Sequence, residues 1–270
     1  MAIRYEQADD HIVLVTIDRP PRNALDLWGF RDLANAWRSF RDDPDAWVAV
    51  VTGVDQSFCS GADLKTYIPQ VTKLQENIAA GDVTEIDGCR LSDGPFAVLR
   101  PPKAQIYKPI IAAVNGYCTA GGMEMLCGTD IRLASPDAQF AVMEPKRGLF
   151  AGGGTTVRLP RQLPFPQAME MLLCADLVPA ERALEMGLLN QIVDKDKLVE
   201  AALDVARRIT VNAPLAVQAT KESVLRGMAL GFEEALGLES ELASKIFSTE
   251  DAKEGPRAFA EKRPPVWQGR

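Results

Sequence analysis

The chain has 270 residues, of which 47% are apolar and 25% charged, with a formal net charge of −7. That is ordinary for a water-soluble globular protein and enough to bury a sizeable core in one large domain or two small ones. The acidic balance argues against broad electrostatic attraction to nucleic acid or an anionic membrane, so a phosphorylated ligand has to be met by local basic residues.

In chain order, "HIVLVTID" (11–18) and "WVAVVTG" (47–53) are Val- and Ile-rich and predict short strands. Between them Phe30, Leu33, Ala34, Trp37 and Phe40 recur at helical spacing, which predicts an amphipathic helix over 25–41. Segment 68–106 is polar and punctuated by Gly and Pro, and is expected to be a partly mobile loop region. "PIIAAVNG" and "DIRLAS" predict buried strands, with a helix between them starting near Gly121. From about 165 onward the pattern is helical, interrupted by "LLNQIV" (188–193) as a further strand. The simplest partition is an α/β core over 1–195 and a C-terminal helical region over 196–270, forming one functional unit.

Some chemistries are excluded early. The single histidine, His11, sits at a strand start, so a Ser-His or Cys-His pair or a zinc site has little to be built from. Five scattered cysteines without a C-x-x-C fit reduced thiols in a cytosolic protein. No metal site is expected. "MAIRYEQADDH" has no apolar run, so no signal peptide is expected. The apolar stretch 110–127 approaches membrane-spanning length, but Asn115, three glycines and a central glutamate weigh against a span. "AGGGTT" (151–156) lacks the Lys of a phosphate-binding loop and reads as a close-packed turn or helix start bordering a site.

"IIAAVNGYCTAGGMEMLC" (110–127) carries one charge, Glu124, and burying a carboxylate is costly unless something holds or uses it. A helix starting near Gly121 has unpaired amides in its first turn, and glycine lets a ligand approach them. Glu124 lies one turn on, on the same face. A helix packed closely through its glycines, with Glu124 as a cap, fits this stretch equally well. Two further stretches add weight. "SFCSGADL" (57–64) is another turn of small residues after a strand, and "AQFAVMEPKRGLFAGGGTT" (138–156) carries Glu144 in an apolar run. Pro145 pushes Glu144 toward an extended conformation on a loop. Two isolated carboxylates and two amide-presenting turns point to acid–base chemistry on a carbonyl compound.

These residues resemble the enoyl-CoA hydratase/isomerase (crotonase) family. The matching pieces are "RPPRNALD", "FCSGADL", "KPIIAAVNGYCTAGGMEM", "DIRLAS", "AQFAVMEPKRGL", "GGGTTVRLPR", "AMEMLLCADLVPAERALEMGLLNQIV" and "TEDAKEGPRAFAEKRPPVWQGR", in family order and spread over nearly the whole chain, with 65–106 the weakly matching part. The resemblance implies a crotonase-like spiral of ββα units in two roughly perpendicular sheets, with C-terminal helices that build a homotrimer or a dimer of trimers. It implies hydration of a trans-2-enoyl-CoA in the cytoplasm, in fatty acid metabolism among other pathways, with coenzyme A as part of the substrate and no separate cofactor.

By motif position, the resemblance assigns the backbone amides of Ala62 and Gly121 to an oxyanion hole. It assigns Glu124 to activating the water and Glu144 to the proton at the α-carbon. For coenzyme A it points to Arg22, Ala24, the turn Ser60, Gly61, Ala62, Asp63 and Leu64, then Lys65, with Lys262 reaching a ligand on a neighbouring subunit. Cys59 and Cys118 are expected to be packing residues. Three features depart from the hydratase pattern: Met143 and Pro145 flank Glu144, Lys146 and Arg147 are placed to pair with it, and 65–106 gives no readable acyl preference. The alternatives are an isomerase, a carnitinyl-CoA-type dehydratase, or an acyl-CoA-binding protein of low turnover.

Overall fold

The structure is a computed structural model that describes residues 2–81, 85, 88–101 and 104–270. Strands β1 (Ile3–Asp9) and β2 (Ile12–Ile17) form an antiparallel hairpin. Helix α1 (Leu27–Asp42) follows, capped by the Asp26 carboxylate, which accepts from the Gly29 N–H at 2.8 Å. Its buried stripe of Leu33, Trp37 and Phe40 faces the core, as the spacing predicts.

Three strand pairs then repeat one move. β3 (Val48–Gly53) leads to β4 (Ser57–Cys59), β5 (Ile110–Val114) to β6 (Tyr117–Thr119), and β7 (Ile131–Ala134) to β8 (Gln139–Ala141). With β9 (Val178–Pro179) and β10 (Gln191–Ile192) from later in the chain, the first strand of each pair joins a six-stranded sheet ordered β1-β2-β3-β5-β7-β10, parallel from β2 on. The second joins a four-stranded sheet ordered β4-β6-β8-β9. Helix α2 (Tyr67–Ala79) and α3 (Asp93–Ala97) lie between the first two pairs, and α4 (Gly121–Leu126) follows β6. This is the ββα spiral of the crotonase fold.

The corners between sheets are tight. Asn115 Oδ1 accepts from the Gly53 N–H at 3.1 Å and its Nδ2 donates to the Asp55 carbonyl at 3.2 Å, fastening two corners together. A Cβ at Gly116 would overlap the Gln56 carbonyl, so the second corner requires glycine.

The chain continues through α5 (Thr155–Gln162), α6 (Phe165–Cys174), β9 (Val178–Pro179), α7 (Ala180–Glu185) and β10 (Gln191–Ile192). Helices α8 (Leu198–Thr210), α9 (Pro214–Gly227), α10 (Phe232–Phe247) and α11 (Glu250–Glu261) complete it. Within 196–270, α8 shares a buried cluster with the large sheet: Leu198, Ala202 and Ala206 pack with Val48, Val50, Ile111 and Leu133.

Segment 68–106, expected to be a loop region, contains most of α2 and all of α3; the expectation for 82–84, 86–87 and 102–103 lies outside the described residues. α2 carries Tyr67, Val71, Leu74 and Ile78 at helical spacing, but Pro69 and polar residues stand between them and only Leu74 in it is buried. α3 is held from outside: Trp37 Nε1 donates to the Ala97 carbonyl at 3.1 Å and Arg38 pairs with Asp93 at 2.7 Å. β1 was hidden by its charged, mostly exposed alternation, "IRYEQAD". Among the described residues no helix is long and apolar enough to cross a membrane.

Candidate active site

β4 and β6 pair in parallel and end side by side, so the turns after them meet. Gly61 has φ +86°, and a Cβ there would sit 2.6 Å from the Gly121 nitrogen. Only glycine allows this approach. The two glycines at the start of α4 do different things. Gly122 packs so closely on the Cys59 carbonyl that a Cβ would overlap it, while Gly121 borders Gly61 and the Phe30 ring. Between β6 and α4, Ala120 holds φ +50°, a conformation that costs an L-residue about 1–3 kcal/mol and tends to persist where function over-determines the backbone.

That strained turn aims the Gly121 amide beside the Ala62 amide. Neither N–H donates to an acceptor among the described residues, and both residues line one cavity of about 520 Å³. α4 is only six residues long, so the positive character here comes from these local amides more than from a long helix dipole.

Glu124 and Glu144 line the same cavity. Glu124 is 9% exposed, and its Oε1 accepts from the Gly153 N–H. Burial pushes its carboxyl up to about 7; the Glu144 charge adds to this, while the Gly153 amide, Arg100 and Arg158 oppose it. Burial also raises Glu144, whose Oε2 is buried without a hydrogen-bond partner among the described residues. A Cβ at Gly153 would overlap the Glu124 carboxylate, which explains one glycine of the "AGGGTT" run. The run borders the cavity and leads into α5, as expected for a turn or helix start.

Two expectations about Glu144 are corrected. Its backbone is helical (φ −56°, ψ −45°), not extended, because its carbonyl accepts from the Arg147 and Leu149 amides at 2.9 and 3.0 Å and Pro145 opens a short 3-10 turn. That local gain outweighs the preference of a residue before proline. Lys146 and Arg147 do not pair with it: Lys146 reaches Asp176, and Arg147 donates to the Lys146 carbonyl at 3.3 Å.

The proposed coenzyme A residues divide. Ser60, Ala62 and Leu64 line the cavity with Gly121. Arg22 and Ser60 are brought together, since the Arg22 carbonyl accepts from the Ser60 hydroxyl at 2.8 Å, while the Arg22 guanidinium lies 4.5 Å over the Tyr117 ring. Arg19, unremarked in the sequence, ties this edge together: it donates to the Ala24 carbonyl and pairs with Asp26 at 3.0 Å and Asp63 at 3.5 Å. Lys65 is exposed beside Asp63, its N–H donating to the Asp63 carboxylate at 3.2 Å. Lys262 sits at the C-terminal cap of α11 and does not line the cavity of this chain.

The remaining wall was not legible beforehand. Tyr67 and Ile68 of α2, Pro95 of α3, Val98 and Arg100 complete it. Tyr67 packs on Phe30 with ring centroids 4.9 Å apart, and burial raises its phenol, helped by the Glu124 charge.

His11 stacks on Trp47 at 3.6 Å and hydrogen-bonds the Asp45 carbonyl, and Cys59 and Cys118 are buried, so none lines the cavity. Burial pushes the Cys59 thiol up to about 11, far from a thiolate nucleophile. Among the described residues no group of three His, Cys, Asp or Glu gathers as metal ligands.

The sequence profile described as enoyl-CoA hydratase/isomerase matches residues 7–270. The chain belongs to that family. It is 40% identical over 262 residues to an enoyl-CoA hydratase of Mycobacterium tuberculosis, covering 96% of this chain and 94% of that one. It is 38% identical over 265 residues to the (E)-benzylidenesuccinyl-CoA hydratase of Thauera aromatica, covering 97% and 98%. Among solved structures, an enoyl-CoA hydratase from Mycobacterium tuberculosis H37Rv superposes with a TM-score of 0.84 at 38% identity, covering 100% and 99%.

Proposed function

We propose that the protein is an enoyl-CoA hydratase that adds water across the 2,3 double bond of a trans-2-enoyl-CoA. The reading rests on one observation: a buried and a half-buried carboxylate share a cavity with two backbone amides that have no acceptor among the described residues. The amides of Ala62 and Gly121 donate to the thioester oxygen, where negative charge develops as the double bond is attacked. Glu124 takes a proton from water while the water oxygen bonds to C3. The π electrons move onto the thioester as an enolate, and C2 receives a proton from Glu144.

The working state is the glutamate pair carrying a single proton on Glu144. Burial raises both carboxyls, Glu124 to about 7, so the pair shares its proton in titration and the proton has to pass to Glu144 before water is activated. Arg22 and Lys65 are the basic residues proposed for the coenzyme A phosphates, with Lys262 serving a neighbouring subunit of a trimer or hexamer. The reaction needs no separate cofactor, and fatty acid metabolism in the cytoplasm is the setting we propose.

The test is loss of the enoyl thioester absorbance with crotonyl-CoA and longer enoyl-CoAs, for wild type, Glu124→Gln and Glu144→Gln. Turnover should fall at least about a hundredfold in each variant, the usual weight of a general acid or base. Binding of these thioesters without turnover by the wild type would instead favour another family reaction or an acyl-CoA-binding role.

A further inference from the structure

The Gly153 amide that holds Glu124 is itself held. Arg100, just beyond α3, donates from Nη1 to the Gly152 carbonyl at 2.8 Å, across 52 residues of sequence. The next residue's N–H is the one that Glu124 Oε1 accepts. A second arginine works from the opposite side. Arg158 of α5 donates to the Glu124 carbonyl at 3.4 Å and the Val98 carbonyl at 3.5 Å, and also to the carbonyl of Leu99. Leu99 has φ +58°, an unfavourable backbone angle for leucine, so the turn presenting Arg100 depends on being held. The result is a closed loop of contacts: Glu124 to Gly153, Gly152 to Arg100, Leu99 to Arg158, and Arg158 back to Glu124.

We propose that Arg100 is a positioning residue for Glu124, fixing through the Gly152 carbonyl the turn whose Gly153 amide grips the carboxylate. Arg100 also lines the cavity, and its charge acts on Glu124. The charged and titratable groups facing Glu124 are Arg100, Arg158 of α5, Glu144, Tyr67 of α2 and the Cys127 thiol beyond α4, with Arg147 also on the cavity wall. Burial and Glu144 favour a protonated Glu124; Arg100 and Arg158 favour the ionised form. The proposed hydration needs Glu124 ionised and the proton on Glu144, so the arginines bias the shared proton toward the working arrangement. This last step rests on the hydratase reading; the positioning role does not.

The experiment uses the full chain labelled with ¹³C at glutamate carboxyls, the Glu124 signal being assigned by its absence from Glu124→Gln. In Arg100→Gln the Glu124 midpoint should rise by about half a pH unit at low salt and by less at high salt, since Arg100 is exposed and screened. Arg100→Lys should restore the midpoint only in part, because an ammonium keeps the charge but not the guanidinium geometry. In enoyl-CoA hydration, Arg100→Gln should lower kcat about twofold at pH 7 and about threefold well below it, move the acid limb upward and leave KM within about twofold, following the ionised fraction. An unmoved carboxyl titration overturns the proposal, as does a raised KM with kcat and acid limb unchanged, which would make Arg100 a substrate-binding group. A wild type that fails to hydrate, with the carboxyl midpoint still moving in Arg100→Gln, would sink the hydratase reading and leave the positioning role standing.

Discussion

The floor of the cavity and its wall are built by different means. The floor comes from the ends of β4 and β6, where backbone meets backbone: Gly61 against Gly121, Gly122 against Cys59, Ala120 at a positive φ. The wall comes from α2, α3 and the residues after them, where side chains such as Ile68, Tyr67 and Val98 face the cavity. A floor made of backbone leaves few residues free to vary without moving an amide. A wall made of side chains can change shape while the amides stay in place. In the proposed hydration, the chemistry at the thioester belongs to the floor and the choice of acyl group to the wall.

The sharpest way to break this division is Gly61→Ala. The added methyl would meet the Gly121 nitrogen and force an unfavourable φ, so the two amides could not serve one oxygen. Loss of a donor of this kind costs about 10²–10³ in kcat, so hydration should fall by that much while circular dichroism stays native.

Removing the charge from the floor should stabilise it. Because the folded-state Glu124 is raised to about 7 from an ordinary value of 4.5, its favourable contribution is complete below about pH 4.5 and is lost as pH rises through 7. Glu124→Gln should thus be more stable than wild type at pH 8, by up to about 3 kcal/mol, with the gap closing toward pH 4.5. Denaturant melts at the two pH values measure this. The same titration predicts activity of the opposite sign. As a base Glu124 must be ionised, so kcat should fall toward tenfold per pH unit well below 7.

The smallest effect should come from the wall. Ile68→Ala widens it at a partly exposed position, so the ratio of kcat/KM for branched over straight enoyl-CoAs should rise several-fold with little change in Tm. A change in the crotonyl-CoA kcat comparable to that of Gly61→Ala would erase the distinction between floor and wall.

The floor was legible in the sequence because its demands are written as residue types. Gly61, Gly121 and Gly122 sit in short motifs, Glu124 stands alone among apolar neighbours, and Glu144 follows an apolar run. The strands β2, β3, β5 and β7 and helix α1 were legible for a related reason: burial on one or both faces leaves a periodic apolar trace. β1 leaves little trace, since most of its side chains are in water, and the apolar spacing of α2 is masked by Pro69 and the polar residues around it. Arg100 and Arg158 were invisible because their partners are carbonyls, which every residue possesses. The helical backbone of Glu144 has the same cause, two bonds accepted by its carbonyl outweighing the local rule about proline.

The most direct test of the account is a crystal structure with a 3-hydroxyacyl-CoA product bound. The thioester oxygen should lie within about 2.7–3.1 Å of both the Ala62 and Gly121 nitrogens, with the 3-hydroxyl against Glu124 and C2 facing Glu144. A thioester oxygen bound away from this pair of amides, or a 3-hydroxyl out of reach of Glu124, would contradict it.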